Sequence, residues 1–255
     1  MNRRIRLTLL FLVLILLAGC GGGSGDPSAE PAEPAFLQSA LWSLGERYGS
    51  EYSRIRYFLA YQKDGEAFCI QITRSDKTPA SSASAIETRE DRGVVCTLKN
   101  ASGMSGSDSF SYTAYECSDG AFLYRIGQEK NDYRVEDVLS FDEAISLVLS
   151  PETPPDGIVL TERNWNAYFR TASCNLELLI CVDDGGALAA SLPDSYVSKT
   201  EDGETYFVSD YGNTIVWTDG TNSVEIRQAN RNGADPVSYN TLSECREVLA
   251  LLGSK

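Results

Sequence analysis

Few residues in this 255-residue chain could carry out covalent chemistry, and the largest gap is histidine, of which there is none. That removes the commonest general base, the usual partner of a serine or cysteine nucleophile, and the commonest transition-metal ligand. Paired carboxylates remain for acid–base hydrolysis of glycans, and the nearest candidates are Asp183/Asp184 and Glu201/Asp202. Both pairs stand beside glycine in turn-like sequence, where acidic side chains usually serve nearby backbone amides. Asn230-x-Asn232-Gly233-x-Asp235 imitates a calcium loop but lacks EF-hand spacing and reads as a plain turn. Serine-nucleophile motifs, phosphate-binding glycine loops and dinucleotide fingerprints are absent. The expectation is a chain with no catalytic residue, no metal and no cofactor.

Seven cysteines occur, and setting aside Cys20 leaves Cys69, Cys96, Cys117, Cys174, Cys181 and Cys245. No C-x-x-C pair exists, and six cysteines allow fifteen pairings. Cys174 and Cys181 are seven apart, so a regular strand would put them on opposite faces and a direct bond would need a bulge or turn between them. Cys96 and Cys117 fall in strands expected to be consecutive and are the first choice for a bridge. The plain alternative is that several cysteines are small buried apolar side chains. Thirteen tyrosines and three tryptophans could line a peptide or glycan cleft. Tyr57, Tyr61, Tyr112 and Tyr124 alternate along expected strands and could share a ligand-contacting face, although aromatics at such spacing more often fill a core.

Position is written more plainly. Arg3, Arg4 and Arg6 precede an apolar run from Leu7 to Leu17, broken only by Thr8, and Ala18-Gly19 leads into Cys20. That order of charge, apolar segment and small residues is an export signal, and the run is several residues short of the ~20 needed to span a bilayer. Leu17-Ala18-Gly19-Cys20 resembles the lipobox of bacterial lipoproteins. The resemblance implies that the cysteine is acylated and becomes the mature N-terminus. Residues 21 to 35, GGGSGDPSAEPAEPA, have nothing to bury and read as a disordered tether with a reach of roughly 20 Å.

The whole chain has a net charge of −14; without the three arginines of the leader, 19 basic face 36 acidic residues, a net −17. Such a surface repels phosphate backbones and anionic headgroups, which disfavours nucleic acid as a partner. Cationic or neutral peptides and uncharged glycans remain open.

Apolar Leu37, Leu41, Leu44 and Tyr48 predict an amphipathic helix ending near Gly49. Period-two patterning predicts strands at 54–61 and 67–72 around Lys63-Asp64-Gly65, then a loop over 73–85. Further strands are expected at 86–89, 94–99, 110–117 and 121–126, with a polar break over 100–109. Ser140-x-x-Glu143 is a capping box opening a helix that Pro151 ends. After the joint 151–157, Thr161 is expected to cap a short helix carrying Trp165, Ala167, Tyr168 and Phe169. Strands at 176–182 and 187–192 would flank an Asp183-Asp184-Gly185 turn, with others at 196–199, 205–208, 214–218 and 223–227. A last helix, 241–252, has Thr241-x-x-Glu244 as its box and Gly253 as its C-terminal cap.

The halves keep step. Glu90-Asp91-Arg92-Gly93 has a counterpart in Glu201-Asp202-Gly203, and Asp119-Gly120 and Ile126 fall one hundred residues before Asp219-Gly220 and Ile226. The boxes are one hundred and one apart, and Asp64-Gly65 pairs with Asp184-Gly185. An internal repeat of a helix, antiparallel sheet and helix unit explains this. The run Gly212-Asn-Thr-Ile-Val-Trp-Thr-Asp-Gly220, with the capped helix after it, resembles an uncharacterised domain of bacterial lipoproteins and of the outer modules of anti-sigma-type membrane regulators. The resemblance implies that these are fold residues and transfers no catalytic role.

The expected fold class is α+β: two similar subdomains, each a twisted antiparallel sheet flanked by helices, or alternatively one continuous curved half-barrel-like sheet. The expected organisation is a signal peptide (1–19), a lipidated Cys20 with tether (20–35), a first repeat (36–150), a joint (151–157) and a second repeat (158–255). The expected function is non-catalytic. The chain would be held at the extracytoplasmic face of the cell membrane by lipid on Cys20, and would bind a peptide, glycan or envelope protein. An envelope-stress sensor acting through a membrane partner is the second reading, and a carboxylate-dependent hydrolase the third.

Overall fold

The computed structural model describes residues 35–77, 83–105, 108–231, 233–234 and 237–253. The leader, Cys20 and all but the last residue of the tether lie outside the described residues, as do Asn232 and Asp235 of the calcium-like loop.

The chain enters through two 3-10 turns, Ala35–Gln38 and Ala40–Ser43, and one α-helical turn, α1 (Leu44–Arg47). The single amphipathic helix expected here is broken. Ser39 accepts from the Leu41 amide at 3.2 Å and so starts a new turn, while the Trp42 indole N–H donates back to the Phe36 carbonyl at 2.9 Å. Gly45 follows, where an added Cβ would meet the Ser53 side chain at 2.9 Å, so this glycine lets α1 lie against the next strand.

Period two then takes over. Strands β1 (Tyr52–Lys63) and β2 (Glu66–Arg74) form a hairpin through Asp64 and Gly65, both at positive φ, the turn whose twist matches paired strands. The pairs Arg92/Gly93 and Asp202/Gly203 do the same between β3 (Ala85–Asp91) and β4 (Val94–Ser105), and between β9 (Tyr196–Glu201) and β10 (Glu204–Ser209). The remaining strands are β5 (Asp108–Ser118), β6 (Phe122–Gly127), β7 (Val159–Arg170), β8 (Cys174–Cys181), β11 (Thr214–Thr218) and β12 (Ser223–Asn230). Helices α2 (Val135–Val138) and α3 (Phe141–Leu149) follow β6, α4 (Ala187–Ala190) follows β8, and α5 (Leu242–Ala250) follows β12.

The twelve strands among the described residues belong to one open antiparallel sheet, in the order β3-β4-β5-β6-β2-β1-β7-β8-β12-β11-β10-β9. The fold is therefore α+β with a continuous sheet, and Pro34–Lys255 form one unit. Its centre is the β1/β7 seam, where Tyr52 pairs with Arg170 and the ladder runs on to Gln62 opposite Val159. Outward from this seam the two halves follow the same order, β1-β2-β6-β5-β4-β3 on one side and β7-β8-β12-β11-β10-β9 on the other. The outermost strand β3 is exposed along its length and carries Glu87, Arg89, Glu90 and Asp91, charges that discourage pairing with another chain.

Four expectations fail here for identifiable reasons. Residues 161–169 form β7 and not a helix: Trp165, Ala167 and Phe169 alternate inward against β1, and the Thr161 hydroxyl donates to the Ala60 carbonyl at 3.1 Å instead of capping. Residues 187–190 form a helical turn and not a strand, because the Asp184 carboxylate accepts from the Gly186 and Leu188 amides at 3.1 and 2.9 Å. The polar 100–109 stretch is no break, since β4 and β5 run through it to Ser105 and Asp108. The matching of Asp64-Gly65 with Asp184-Gly185 is also wrong: the first joins β1 to β2, whereas the second follows β8.

One face of the sheet is the core. Tyr57, Leu59 and Tyr61 of β1, Phe68, Ile70 and Ile72 of β2, and Trp165, Ala167 and Phe169 of β7 are buried on it. The entry segment and helices cover this face: Phe36 stacks on Tyr57 at 4.9 Å, Trp42 meets Trp165 at 4.8 Å, and Phe141 of α3 meets Tyr115 at 4.8 Å. Among the described residues no helix is long and apolar enough to cross a membrane.

The expected capping box at Ser140 is complete. Its hydroxyl accepts from the Glu143 amide at 3.3 Å, and the Glu143 carboxylate accepts from the Ser140 amide at 2.9 Å and from Lys63 at 2.6 Å. Burial alone would raise the Glu143 carboxyl, but the Lys63 ammonium and the Ser140 groups more than offset it and hold it below its ordinary value. A depressed carboxylate stabilises the fold above its unfolded pKa, and that contribution is lost as pH falls through the folded value. Glu143→Gln should therefore cost about 1 kcal/mol at pH 7, and progressively less as pH falls below the ordinary glutamate range, as urea denaturation over a pH series would show. Thr241 makes only half of its box, accepting from the Glu244 amide at 3.2 Å, and α5 ends with Leu251 and not Gly253 as its C-terminal cap.

Candidate functional site

The opposite face of the sheet is where unsatisfied chemistry collects. Alternation sends Arg54, Arg56 and Phe58 of β1 to this side, away from the buried Tyr57, Leu59 and Tyr61. The register then places neighbours beside them. Arg54 lies opposite Tyr168 and Arg56 opposite Asn166. Tyr168 lies opposite Glu177 on β8, and Glu177 opposite Arg227 on β12. Together with Gln71 and Leu179 these side chains line a cavity of about 410 Å³.

The charges in this cavity are unevenly matched. Arg227 is paired with Glu177 at 3.5 Å and Glu225 at 3.2 Å. Arg54 and Arg56 have no ion pair and no side-chain hydrogen bond among the described residues. Arg54 is exposed and Arg56 half-buried. Burial, and then the charge of Arg54, pull the Arg56 guanidinium below its ordinary value. Glu129 partly offsets the pull on Arg56, but no carboxylate is ion-paired with either guanidinium among the described residues, and two like charges side by side, one of them partly desolvated, are costly. An anion placed between them would remove that cost, and two planar guanidinium forks suit a carboxylate or phosphate.

A second cavity of about 490 Å³ adjoins the first, and Arg54 and Arg56 line both. It exists because the β1/β2 ladder stops at Tyr57 opposite Ile72. Beyond that point Thr73 and Arg74 follow β6, whereas Tyr52 to Arg56 follow β7, so the sheet forks. Trp42, Gly45 and Gly49 from the entry segment wall the fork on its core side.

The four tyrosines expected to share a ligand face do not. Tyr57, Tyr61 and Tyr124 are 1–2 % exposed and belong to the core. Their hydroxyls are satisfied from within, donating to Glu152, to the Pro151 carbonyl at 2.7 Å and to Asp119 at 2.7 Å. Burial raises all three phenols above their ordinary range. Tyr112 is buried on the other face, with the Arg125 guanidinium over its ring. The aromatics that do line the cavity are Phe58 and Tyr168. They and the two arginines were missed in the sequence, although two unmatched arginines in alternation within so acidic a chain were the available signal.

Other candidates resolve into structure. Asp183 is paired with Arg163, and Asp184 holds the first turn of α4 and accepts from the Ser223 hydroxyl at 2.9 Å. Asp202 sits at positive φ in its hairpin turn, 3.7 Å from Arg246, and Glu201 accepts from the Tyr206 hydroxyl at 3.5 Å. Among the described residues no group of three or more acidic or cysteine side chains could hold a metal. Cys96 and Cys117 are direct partners across β4 and β5, both buried and both thiols. Burial, and then the neighbouring Cys96, raise the Cys117 thiol well above its ordinary value. Cys174 and Cys181 end one unbroken strand, about 24 Å apart at ~3.4 Å per residue, too far to bond. The Trp217 of the Gly212–Gly220 run packs into the core, and Asp219 accepts from the Thr221 and Asn222 amides at 2.8 Å, a fold role.

No family model matches the chain, and no curated protein and no solved structure is significantly similar to it.

Proposed function

We propose that the chain is a lipid-anchored binding module at the extracytoplasmic face of a bacterial cell membrane, and that it takes up a ligand bearing carboxylate or phosphate groups. The observation that carries the ligand class is the Arg54/Arg56 pair, without an ion pair among the described residues and set in a cavity on the polar face of the sheet. The leader, the Leu17-Ala18-Gly19-Cys20 lipobox and the glycine- and proline-rich tether support the anchoring. The shared strand order of the two halves supports duplication of one unit, with the ligand site beside the seam that joins the copies. The likeness of Gly212–Gly220 to outer modules of anti-sigma-type regulators favours a second reading, in which the bound state is reported to a membrane partner.

The test is a titration of the full-length chain in detergent with inorganic phosphate and N-acetylglutamate. Replacing both arginines, Arg54→Gln and Arg56→Gln, should weaken binding about tenfold per guanidinium lost. Unchanged affinity would exclude the pair as the receptor. In the same cells Cys20→Ser should move the protein from the membrane fraction to the soluble one.

Export would also expose the thiols to oxidation. We expect peptide mapping of the exported, unreduced protein to find a Cys96–Cys117 linkage and no Cys174–Cys181 linkage. Free thiols at both Cys96 and Cys117 would refute the pairing.

A further inference from the structure

A fork inside a sheet leaves backbone unpaired where strands normally have two neighbours. Over Tyr52 to Arg56, β1 pairs with β7 on one side only, and among the described residues no strand pairs with the other side. That edge opens into the 490 Å³ cavity. An extended chain laid along five strand residues covers about 17 Å and can form about five main-chain hydrogen bonds. Strand addition to a free edge is a general mode of peptide capture, with the backbone supplying affinity and alternate side chains supplying selectivity.

The side-chain chemistry on the two faces of the fork differs. Residues directly opposite each other across a ladder emerge on the same face. Positions of an added strand opposite Arg54 and Arg56 would therefore face the two unmatched guanidinium groups. The intervening positions would face Ser53 and Ile55, against Trp42 and Gly45. We infer that the fork receives an extended polypeptide segment of about five residues, acidic at alternate positions and apolar between them, as an added strand along Tyr52–Arg56. This rests on the anion-binding reading above and names its ligand. The net charge, −17 without the leader, opposes an acidic ligand overall, so such a segment would be drawn only to a local cationic patch of this kind.

The experiment uses the full-length chain in detergent and fluorescently labelled pentapeptides of the form X-Glu-X-Glu-X, with X valine, leucine, alanine or tyrosine and both ends blocked. Fluorescence anisotropy gives affinity, and hydrogen exchange reports the Tyr52–Arg56 amides. At least one peptide should bind and slow exchange over Tyr52–Arg56. N-methylating one of its two alternating sets of amides should weaken binding at least tenfold, and methylating the other set should change it little, although the charge is the same in all three. Arg54→Gln with Arg56→Gln should weaken it at least tenfold as well. If both methylated peptides bind as well as the parent, the ligand is held by its carboxylates alone; the inference falls while the anion site stands. The same holds if no peptide binds at millimolar concentration but phosphate or N-acetylglutamate does. Binding of neither class removes both readings. Protection, without peptide, of the Tyr52–Arg56 amides that face away from β7 would mean that the chain fills its own fork, which also overturns the inference.

Discussion

Trp165→Ala should destabilise the folded body by about 3–5 kcal/mol, the ordinary result of deleting a buried indole whose site cannot collapse. Trp165 is 3 % exposed and sits on β7 opposite Tyr57 of β1, so it fills the seam between the halves. Its ring lies 4.7 Å from Tyr57 and 4.8 Å from Trp42, and Trp42 in turn lies 5.4 Å from Phe122 on β6. Removing it takes one wall from an aromatic cluster that joins the entry segment to both halves. For a body of this size the loss corresponds to a fall in Tm of roughly 6–20 °C. Trp165→Phe should recover most of the loss, and Ile86→Ala, at a residue half-exposed on the edge strand, should change stability by less than about 0.5 kcal/mol. Urea denaturation followed by circular dichroism decides it, and a loss below about 1 kcal/mol for Trp165→Ala would contradict the packing described.

The second large effect is at the meeting of the two ends of the folded chain. Glu244, at the start of α5, accepts from the Tyr48 hydroxyl at 2.6 Å and from Arg47 at 3.3 Å, and Arg47 also pairs with Glu247. Tyr48 is buried between Phe169 and Tyr239, each at 5.1 Å. Burial, and then the bond to Glu244, raise its phenol well above the ordinary value. Glu244→Ala leaves that hydroxyl without its partner and should cost about 2–3 kcal/mol, the range for a hydrogen bond to a charged group. Tyr48→Phe should cost less, and the double variant little more than Glu244→Ala alone, because both substitutions remove one interaction. Additive losses in that cycle would show that the two residues are not coupled. The exposed Arg47–Glu247 pair should contribute little by itself.

These residues also show what a one-dimensional reading can and cannot recover. Strands with Asp-Gly or Arg-Gly turns were legible because period-two alternation and positive-φ turn chemistry are local. The α3 box was legible for the same reason. Residues 161–169 misled because Thr followed by bulky apolar residues fits a helix start, and only the β1 ladder, over a hundred residues away in sequence, selects the extended form. Residues 187–190 misled because alanine and leucine alternate with nothing polar, so only the Asp184 cap settles the outcome. The tyrosines pointed to a ligand-contacting face because they alternate along expected strands, a spacing that a core shares. Glu152, Pro151 and Asp119, which satisfy the hydroxyls of three of them, lie on other elements. The cavity arginines immediately precede Tyr57 on β1 and face the other way, and a shift of one residue exchanges the two faces. Glu244 was assigned to its own helix cap, and the demand of Tyr48 for an acceptor drew it away.

The β1/β7 ladder makes one more event available to this molecule. Its two partners belong to halves of like topology that are connected along the chain by the seven residues 151–157, so the partner strand need not come from the same polypeptide. Two copies refolding at high concentration should be able to interchange their second halves, each rebuilding the ladder with the other's β7. The expected product is an intertwined dimer with two complete sheets, separable only by unfolding. Refolding at low concentration should therefore give the monomer and refolding at high concentration the interlocked pair, as size-exclusion chromatography would show.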